Sequence, residues 1–295
     1  MTPLPDSFLS PLHLPFNCAC LQRKFSLAAP GRDPGGAGFW LPLRGSELLV
    51  TADLRLPEGE LPEELLPVSS EPLYIGHWEG RPCRALMLPK EHSMPAGFTA
   101  ESLLATEPAL SIELLTLGGV AGQILHWEQG SRFCSRCGGE MQRLDSEWGK
   151  RCRGCGYDHY PHIHPCVIVL VRRGGEVLLT RKSIWPPGRY SLVAGFLDFG
   201  ECLEEAVVRE VLEETGVLVN NVRYVGSQSW PFPSQLMAGF TADYVGGEVV
   251  VEEKELEDAR WFPVTALPAL PPKRSIARYI LDNHLISQDA SGSEA

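Results

Sequence analysis

Short apolar runs, broken by glycine and proline, fill the first third of the chain. Phe39 to Val50 and Leu73 to Leu88 have the length and the turn-forming flanks of strands. Between 101 and 129, leucine and isoleucine recur at helical spacing, and Gly118-Gly119 is a candidate break that would divide this helix into two pieces. The pattern predicts a small α+β domain, and it indicates no chemistry.

The second half of the chain has longer apolar runs. CVIVLVRR, beginning at Cys166, has the continuous apolar character of a buried strand, and Gly174-Gly175 predicts a hairpin into the next run. A helical pattern ends at Thr215, and Gly216 stands where helices commonly stop. Two more strands and a helix over about 274–286 are expected to follow.

Three glutamates stand at i, i+3 and i+4 on the helix that ends at Thr215. Glu210, Glu213 and Glu214 therefore share one face, where like charges repel each other. A hard divalent cation with oxygen ligands would offset that repulsion. The alternative is a solvated acidic helix face, which is the usual explanation of a run of charge.

Two cysteine pairs form a second candidate metal site. Cys134 and Cys137 are separated from Cys152 and Cys155 by fourteen residues, and each pair is followed by glycine. This spacing predicts a zinc ribbon with a structural four-thiolate Zn²⁺ site, which leaves no open position for catalysis. The nearby histidines, at 159, 162 and 164, are expected to be ordinary surface or core residues.

Composition narrows the class of protein. The chain has 295 residues, is 44% hydrophobic and carries a formal net charge of −11, which argues against general nucleic-acid binding. No apolar run is long enough for a membrane span, and no secretory signal is evident. Nine cysteines, an odd number that includes metal-type spacing, predict a reducing cytoplasm rather than a disulfide framework.

The acidic helix lies within a longer motif. Gly195, Glu201, the run 209–211, the pair 213–214 and the pair 216–217 match the Nudix box at every defined position. The chain therefore resembles a Nudix hydrolase. The resemblance implies a mixed-sheet α/β/α sandwich and Mg²⁺- or Mn²⁺-dependent cleavage of a nucleoside diphosphate linked to another group.

The resemblance also implies the roles of individual residues. Glu210 and Glu214 would ligate the catalytic metal, Glu213 would be a ligand or its partner, and one of these glutamates or a more distant carboxylate would act as the base. The carbonyl of Ala194 and the carboxylate of Glu255 would complete the site, although Glu255 lies in a stretch that could be an acidic surface loop. Arg209 would orient the glutamates, and Glu201 would support them.

A second stretch, SQSWPFPSQLM over 227–237, is stiffened by two prolines and carries two aromatic residues. By itself it favours a loop that caps the core. After a Nudix box and a zinc ribbon, it resembles the SQPWPFPxS motif of NADH pyrophosphatases. Ser229 and Gln235 depart from that motif. The residues implied to contact substrate here are Gln228, Ser229, Trp230, Pro231, Phe232, Pro233, Ser234 and Gln235.

The combined pattern resembles the NudC-type NADH pyrophosphatases, which also remove NAD caps from RNA. Tyr160 and Phe196 match the aromatic residues that sandwich the nicotinamide, and Glu147 and Ala277 match other substrate-contacting positions. In that family the site draws on both subunits of a homodimer, so a homodimer is expected.

These features predict an N-terminal α+β domain over 1–130, a zinc ribbon over 131–160, a Nudix hydrolase domain over 161–287 and a disordered tail over 288–295. The expected reaction is hydrolysis of NAD(H) to nicotinamide mononucleotide and AMP. The alternatives are a Nudix hydrolase of ADP-ribose or nucleotide sugars, and a non-catalytic ligand-sensing regulator, which would not need its metal glutamates.

Overall fold

The computed structural model describes residues 4–21, 23–66, 68 and 71–285, so the tail predicted over 288–295 lies outside the described residues. The described chain forms two compact units. Of the described residues, the first contains Leu4, the range 15–163 and Trp230–Ser234, and the second contains the ranges 5–14, 164–229 and 235–285.

The first unit contains a seven-stranded mixed sheet in the order β1-β5-β6-β2-β3-β7, with β4 paired to β2. Its strands are β1 Phe25–Leu27, β2 Gly38–Arg44, β3 Glu47–Thr51, β4 Glu58–Gly59, β5 Leu73–Trp78, β6 Arg81–Met87 and β7 Phe98–Ser102. Strands β2 and β6 run parallel, and the other pairings in the sheet are antiparallel. The strand patterns predicted from Phe39 to Val50 and from Leu73 to Leu88 are confirmed.

One long helix, α1 Ile112–Gly130, packs against this sheet. It begins after Ser111, whose hydroxyl accepts the Leu114 N–H at 3.3 Å. The predicted break at Gly118-Gly119 is wrong, because the helix runs through both glycines. Both are buried, and a Cβ at either would lie within 3 Å of a neighbouring side chain, so close packing explains them.

The zinc ribbon also belongs to the first unit. It is a three-stranded antiparallel sheet of β8 Met141–Arg143, β9 Lys150–Cys152 and β10 Asp158–His159. Gly138 and Gly156 follow the two cysteine pairs with φ of 75° and 73°, in the left-handed region that favours glycine.

The second unit is built on a six-stranded mixed sheet in the order β14-β15-β11-β12-β16, with β13 paired to β11. Strands β11 and β15 run parallel, and the predicted hairpin at Gly174-Gly175 joins β11 to β12. The strands are β11 His164–Arg173, β12 Glu176–Arg181, β13 Val193–Phe196, β14 Leu218–Trp230, β15 Gln235–Gly246 and β16 Asp258–Pro263.

Helices cover both faces of this sheet. Ala206, Val207 and Val211 of α2 Leu203–Thr215 share one core with Ala238 and Phe240 of β15. Helix α3 Ile276–His284 packs where Gly239 stands, and a Cβ on that glycine would lie 2.8 Å from the Ile280 side chain. Neighbouring strand residues point to opposite faces, so the arrangement is the predicted α/β/α sandwich. None of the helices in the described part of the chain is long and apolar enough to span a membrane.

Candidate active site

The acidic face of α2 is anchored at both ends of the helix. At the start, the backbone N–H of Cys202 donates to Glu205 at 2.8 Å. At the end, Gly216 has φ of 71° and donates its N–H to the Leu212 carbonyl at 2.8 Å. These caps fix the register of the helix, and with it the direction of each glutamate.

The three glutamates differ in burial. Glu210 is 8% exposed and Glu214 is 2% exposed, whereas the Glu213 side chain is 61% exposed. Gly195 explains how Glu210 reaches its position, because a Cβ at Gly195 would overlap the Glu210 carboxyl. The glycine at the start of the motif is therefore required for close approach of β13 to α2.

Arg209 links the glutamates to each other and to β13. Its guanidinium donates to Glu201 at 2.5 and 2.8 Å, to Glu210 at 2.8 Å, to Glu213 at 3.1 Å and to the Phe196 carbonyl at 2.8 Å. These hydrogen bonds hold the pKa of Glu201 down to about 2. With its carboxylate bound by Arg209 and by the Asp198 N–H, Glu201 supports the site rather than facing it.

Glu214 has a different environment. Burial raises the pKa of its carboxyl to about 7; the Lys182 ammonium, 4.0 Å away, opposes the shift, and the carboxylates of Glu210 and Glu255 add to it. Burial also raises the pKa of Glu210. Among the described residues, neither oxygen of Glu214 has a hydrogen-bond partner.

Backbone hydrogen bonds bring the acidic stretch after β15 to the end of α2. The Val250 N–H donates to the Thr215 carbonyl at 2.9 Å, and the Glu252 N–H donates to the Glu214 carbonyl at 3.1 Å. A turn follows in which the Glu255 N–H donates to the Glu252 carbonyl at 3.0 Å. Glu255 is thereby placed where its charge acts on Glu210 and Glu214.

This donor set fits a hard divalent cation. A buried carboxylate without hydrogen-bond donors, beside further carboxylates, is costly unless a cation neutralises it. Glu210, Glu214 and Glu255 supply the oxygen ligands that Mg²⁺ and Mn²⁺ prefer. Their oxygens are not drawn as close together as the cysteine sulfurs described next, which form the metal-type cluster found within the described residues.

The four predicted zinc ligands converge. The sulfurs of Cys134, Cys137, Cys152 and Cys155 all lie within 4.8 Å of one another. The backbone N–H groups of Arg136 and Gly154 donate to the Cys134 and Cys152 sulfurs at 3.4 and 3.3 Å. Four thiolates at this spacing fit tetrahedral Zn²⁺ and leave it no open position.

Tyr160 is the last residue of the ribbon and is 47% exposed. The ring packs on Gly149, where a Cβ would lie 3.0 Å from it. The Trp127 indole N–H donates to the Tyr160 carbonyl at 3.2 Å, and the Trp127 ring stacks on His159. His159 thus packs on a helix residue, as expected for an ordinary core or surface histidine. Glu147, in the same unit, is exposed.

The SQSWPFP stretch forms the end of β14 and the turn that follows it. Trp230 and Phe232 are half-buried and pack against the core of the first unit, whereas Pro233 is exposed. Pro231 and Ser234 are buried, and Ser229 and Gln235 are half-buried. The rings of Trp230 and Phe232 therefore lie where a loop that caps the core would place them.

Besides Ser229 and Gln235, three predicted substrate residues lie in the second unit, and their exposure differs. Phe196 ends β13 with half of its surface exposed. Gln228 is fully buried; its amide donates to the Arg274 carbonyl at 2.8 Å and accepts the Ile276 N–H at 2.7 Å. It thereby holds the start of α3, where Ala277 is 5% exposed.

Comparison with known proteins agrees with these observations along most of the chain. Residues 162–284 match the NUDIX domain, residues 131–160 match the NADH pyrophosphatase zinc ribbon domain, and residues 37–127 match the NADH pyrophosphatase-like rudimentary NUDIX domain. The chain belongs to the NADH pyrophosphatase family of Nudix hydrolases.

Two similar proteins cover most of the chain, and one solved structure covers less than half of it. The NAD-capped RNA hydrolase NudC of Pseudomonas aeruginosa is 45% identical over 232 residues, which are 79% of this chain and 83% of the relative. That of Stutzerimonas stutzeri is 40% identical over 255 residues, 86% of this chain and 92% of the relative. A NUDIX hydrolase crystal structure from Nitrosomonas europaea is 30% identical with a TM-score of 0.41, covering 46% of this chain and 80% of that one.

Sequence reasoning missed two features of this family member's site. Lys182, directly after β12, is the cation beside Glu214, and only the pairing of strands places it there. Phe16 is the residue that the rings of the SQSWPFP stretch contact, more than 200 positions away along the chain. No local pattern could have indicated either contact.

Proposed function

We propose that this chain hydrolyses the pyrophosphate of NAD(H) to nicotinamide mononucleotide and AMP, and that it also removes NAD caps from RNA. The observation that carries the proposal is the buried Glu210–Glu214 pair within a complete Nudix motif, in which neither oxygen of Glu214 has a hydrogen-bond donor among the described residues. The family membership and the relatives named NAD-capped RNA hydrolases support the choice of substrate. A silent regulator would not need to keep this carboxylate pair.

The residues have distinct roles in this proposal. Glu210 and Glu214 hold the catalytic cation, with Glu255 and the Ala194 carbonyl as further ligands, and Glu213 acts as a ligand or its partner. When bound, Mg²⁺ or Mn²⁺ would neutralise charge on the diphosphate and acidify a bound water. Arg209 holds Glu210 and Glu213 in position, since it donates a hydrogen bond to each.

Specificity would come from aromatic and polar groups outside the acidic face. Tyr160 and Phe196 are each about half exposed, and aromatic rings of this kind suit stacking on the nicotinamide. Residues 228–235, Glu147 and Ala277 are the remaining substrate positions, and buried Gln228 acts through the start of α3. We propose that the protein acts in a reducing cytoplasm, where its free cysteines would stay reduced. We also propose that it is a homodimer. Its proposed domains cover residues 1–130, 131–160 and 161–287.

ADP-ribose or a nucleotide sugar is the second candidate substrate. Ser229 and Gln235 depart from the NADH pyrophosphatase motif, and these departures favour testing it directly. The deciding experiment compares initial rates on NADH, NAD⁺, ADP-ribose and NAD-capped RNA, with Mg²⁺ and with Mn²⁺. We expect the highest kcat/KM on NADH or on the capped RNA. A higher kcat/KM on ADP-ribose would contradict the proposal.

A further inference from the structure

The turn of the SQSWPFP stretch clusters with the N-terminal domain instead of with its own strands. Trp230–Ser234 belong to the first unit, whereas the residues on either side, up to Ser229 and from Gln235, belong to the second. The conformation of this turn therefore depends on N-terminal residues that the proposed reaction does not otherwise use.

Phe16 is the centre of the contact. The residue is 2% exposed, and its ring meets the Trp230 ring edge-on at 5.7 Å and the Phe232 ring edge-on at 5.3 Å between centroids. Trp230 and Phe232 also meet each other at 5.3 Å. Edge-to-face pairs of this kind are the favoured geometry of aromatic rings, so the three rings restrict one another's orientation.

The backbone of Phe16 is itself constrained. Its φ is 76°, in a region that residues other than glycine seldom adopt. The Phe16 N–H donates to the Thr116 hydroxyl at 2.9 Å, and that hydroxyl donates to the Ile112 carbonyl at 2.7 Å. Thr116 is fully buried in α1, so the helix holds Phe16 in this conformation.

Gly119, one turn after Thr116 on α1, lies against both Phe16 and Pro231. A Cβ there would lie 2.7 Å from the Phe16 ring and 2.7 Å from the Pro231 ring. Neither ring can bend away as the end of a flexible side chain could. Only glycine at this position lets the turn sit as closely on the helix as it does.

We propose that Phe16, Thr116 and Gly119 form a platform that sets the conformation of Trp230–Ser234, and that they are positioning residues for recognition of the dinucleotide. The N-terminal domain would thereby determine specificity without contacting substrate. This inference rests on the proposed function, because it assumes that the SQSWPFP stretch selects NAD(H).

Gly119→Ala tests the platform, and Gly118→Ala is its matched control. Gly118 is the preceding residue of the same buried helix, and a Cβ there would meet the Leu103 and Leu48 side chains instead of the turn. We expect Gly119→Ala to lower the ratio of kcat/KM for NADH to that for ADP-ribose by roughly fivefold, mainly through KM, as for loss of one aromatic contact. Gly118→Ala should leave the ratio unchanged.

A second measurement does not depend on activity. Hydrogen exchange of the peptide covering 227–237, in the protein without substrate, should be faster in Gly119→Ala and unchanged in Gly118→Ala. Phe16→Leu, which keeps an apolar side chain in the core, should show the same two effects more weakly and serves if Gly119→Ala does not fold.

The outcomes separate the two proposals. Unchanged exchange in both Gly119→Ala and Phe16→Leu, or an equal change in the Gly118→Ala control, would overturn the platform. Faster exchange with an unchanged substrate ratio would overturn its role in recognition. A wild-type protein that prefers ADP-ribose would overturn the proposed function, while the exchange result would still report on the platform.

Discussion

Each unit packs a helix against a mixed sheet that contains a parallel strand pair, β2 with β6 in the first and β11 with β15 in the second. Helix α1 carries acidic residues only near its ends, Glu113 and Glu128, and its middle is buried against apolar side chains. Helix α2 places Glu210 and Glu214 in buried positions on one face. The same arrangement of helix and sheet therefore carries an apolar helix in one unit and buried carboxylates in the other.

The comparison of α1 with α2 separates the packing of a helix on a sheet, which both units share, from the buried carboxylates, which only α2 carries. The N-terminal domain, which matches a rudimentary NUDIX domain, keeps a packed sheet and helix but has no cluster of carboxylates on that helix. Its glycines instead allow side chains from distant parts of the sequence to approach. The buried carboxylates of α2 are costly by themselves, and we propose that a bound cation stabilises them.

The sharpest test of this contrast is Glu214→Gln. We expect kcat to fall by roughly three orders of magnitude, because several kcal/mol of charge stabilisation are lost with the cation. Glu113→Gln on α1 is the control and should leave kcat unchanged. Near wild-type rates for Glu214→Gln at saturating metal would mean that the α2 face is not the metal site.

The same variant has a predicted effect on stability. In the absence of added divalent cation, the folded Glu214 carboxyl, with its pKa of about 7, holds its proton more tightly than the unfolded one, at 4.5. The free energy of unfolding of the wild type should therefore fall as pH rises from 4.5 to about 7. Chemical denaturation across this range should show a smaller fall in Glu214→Gln.

Substitution in the zinc ribbon should lower the stability of the protein, whereas substitution on the α2 face should mainly lower kcat. We expect about one Zn²⁺ per chain, and we expect Cys152→Ser to lower the melting temperature by on the order of 10 °C, since metal–thiolate binding contributes directly to folding. Cys18→Ser, at an exposed free cysteine, is the control. Purified wild-type protein that contains no zinc, or an unchanged melting temperature in Cys152→Ser, would contradict a structural role for zinc.

A smaller effect is expected at the end of β13. Phe196→Ala should reduce kcat/KM on NADH by roughly five- to tenfold while leaving ADP-ribose unaffected, because ADP-ribose lacks the nicotinamide ring. Phe199→Ala, three residues further along at a fully exposed phenylalanine, should change neither rate. A constant ratio of the two kcat/KM values in Phe196→Ala would show that the ring is not held there.

Local sequence patterns were sufficient to predict the chemistry of the two candidate metal sites. Metal ligation needs particular atoms at fixed short spacing, and helices and cysteine knuckles translate spacing directly into geometry. The glutamate face of α2, the four cysteines and the glycine that ends α2 were therefore predictable, as were the Gly174-Gly175 hairpin and the helices on both faces of a mixed sheet.

Contacts between distant segments became visible only in the folded chain. Gly118-Gly119 suggested a break in α1 because glycine is a poor helix former, but side chains packed against the helix require glycine there. Strand pairing and packing across long stretches of sequence bury Glu214 and bring it near Lys182. Packing of the same kind places the rings of Trp230 and Phe232 against Phe16. Such contacts depend on how the whole chain closes, and no local pattern records them.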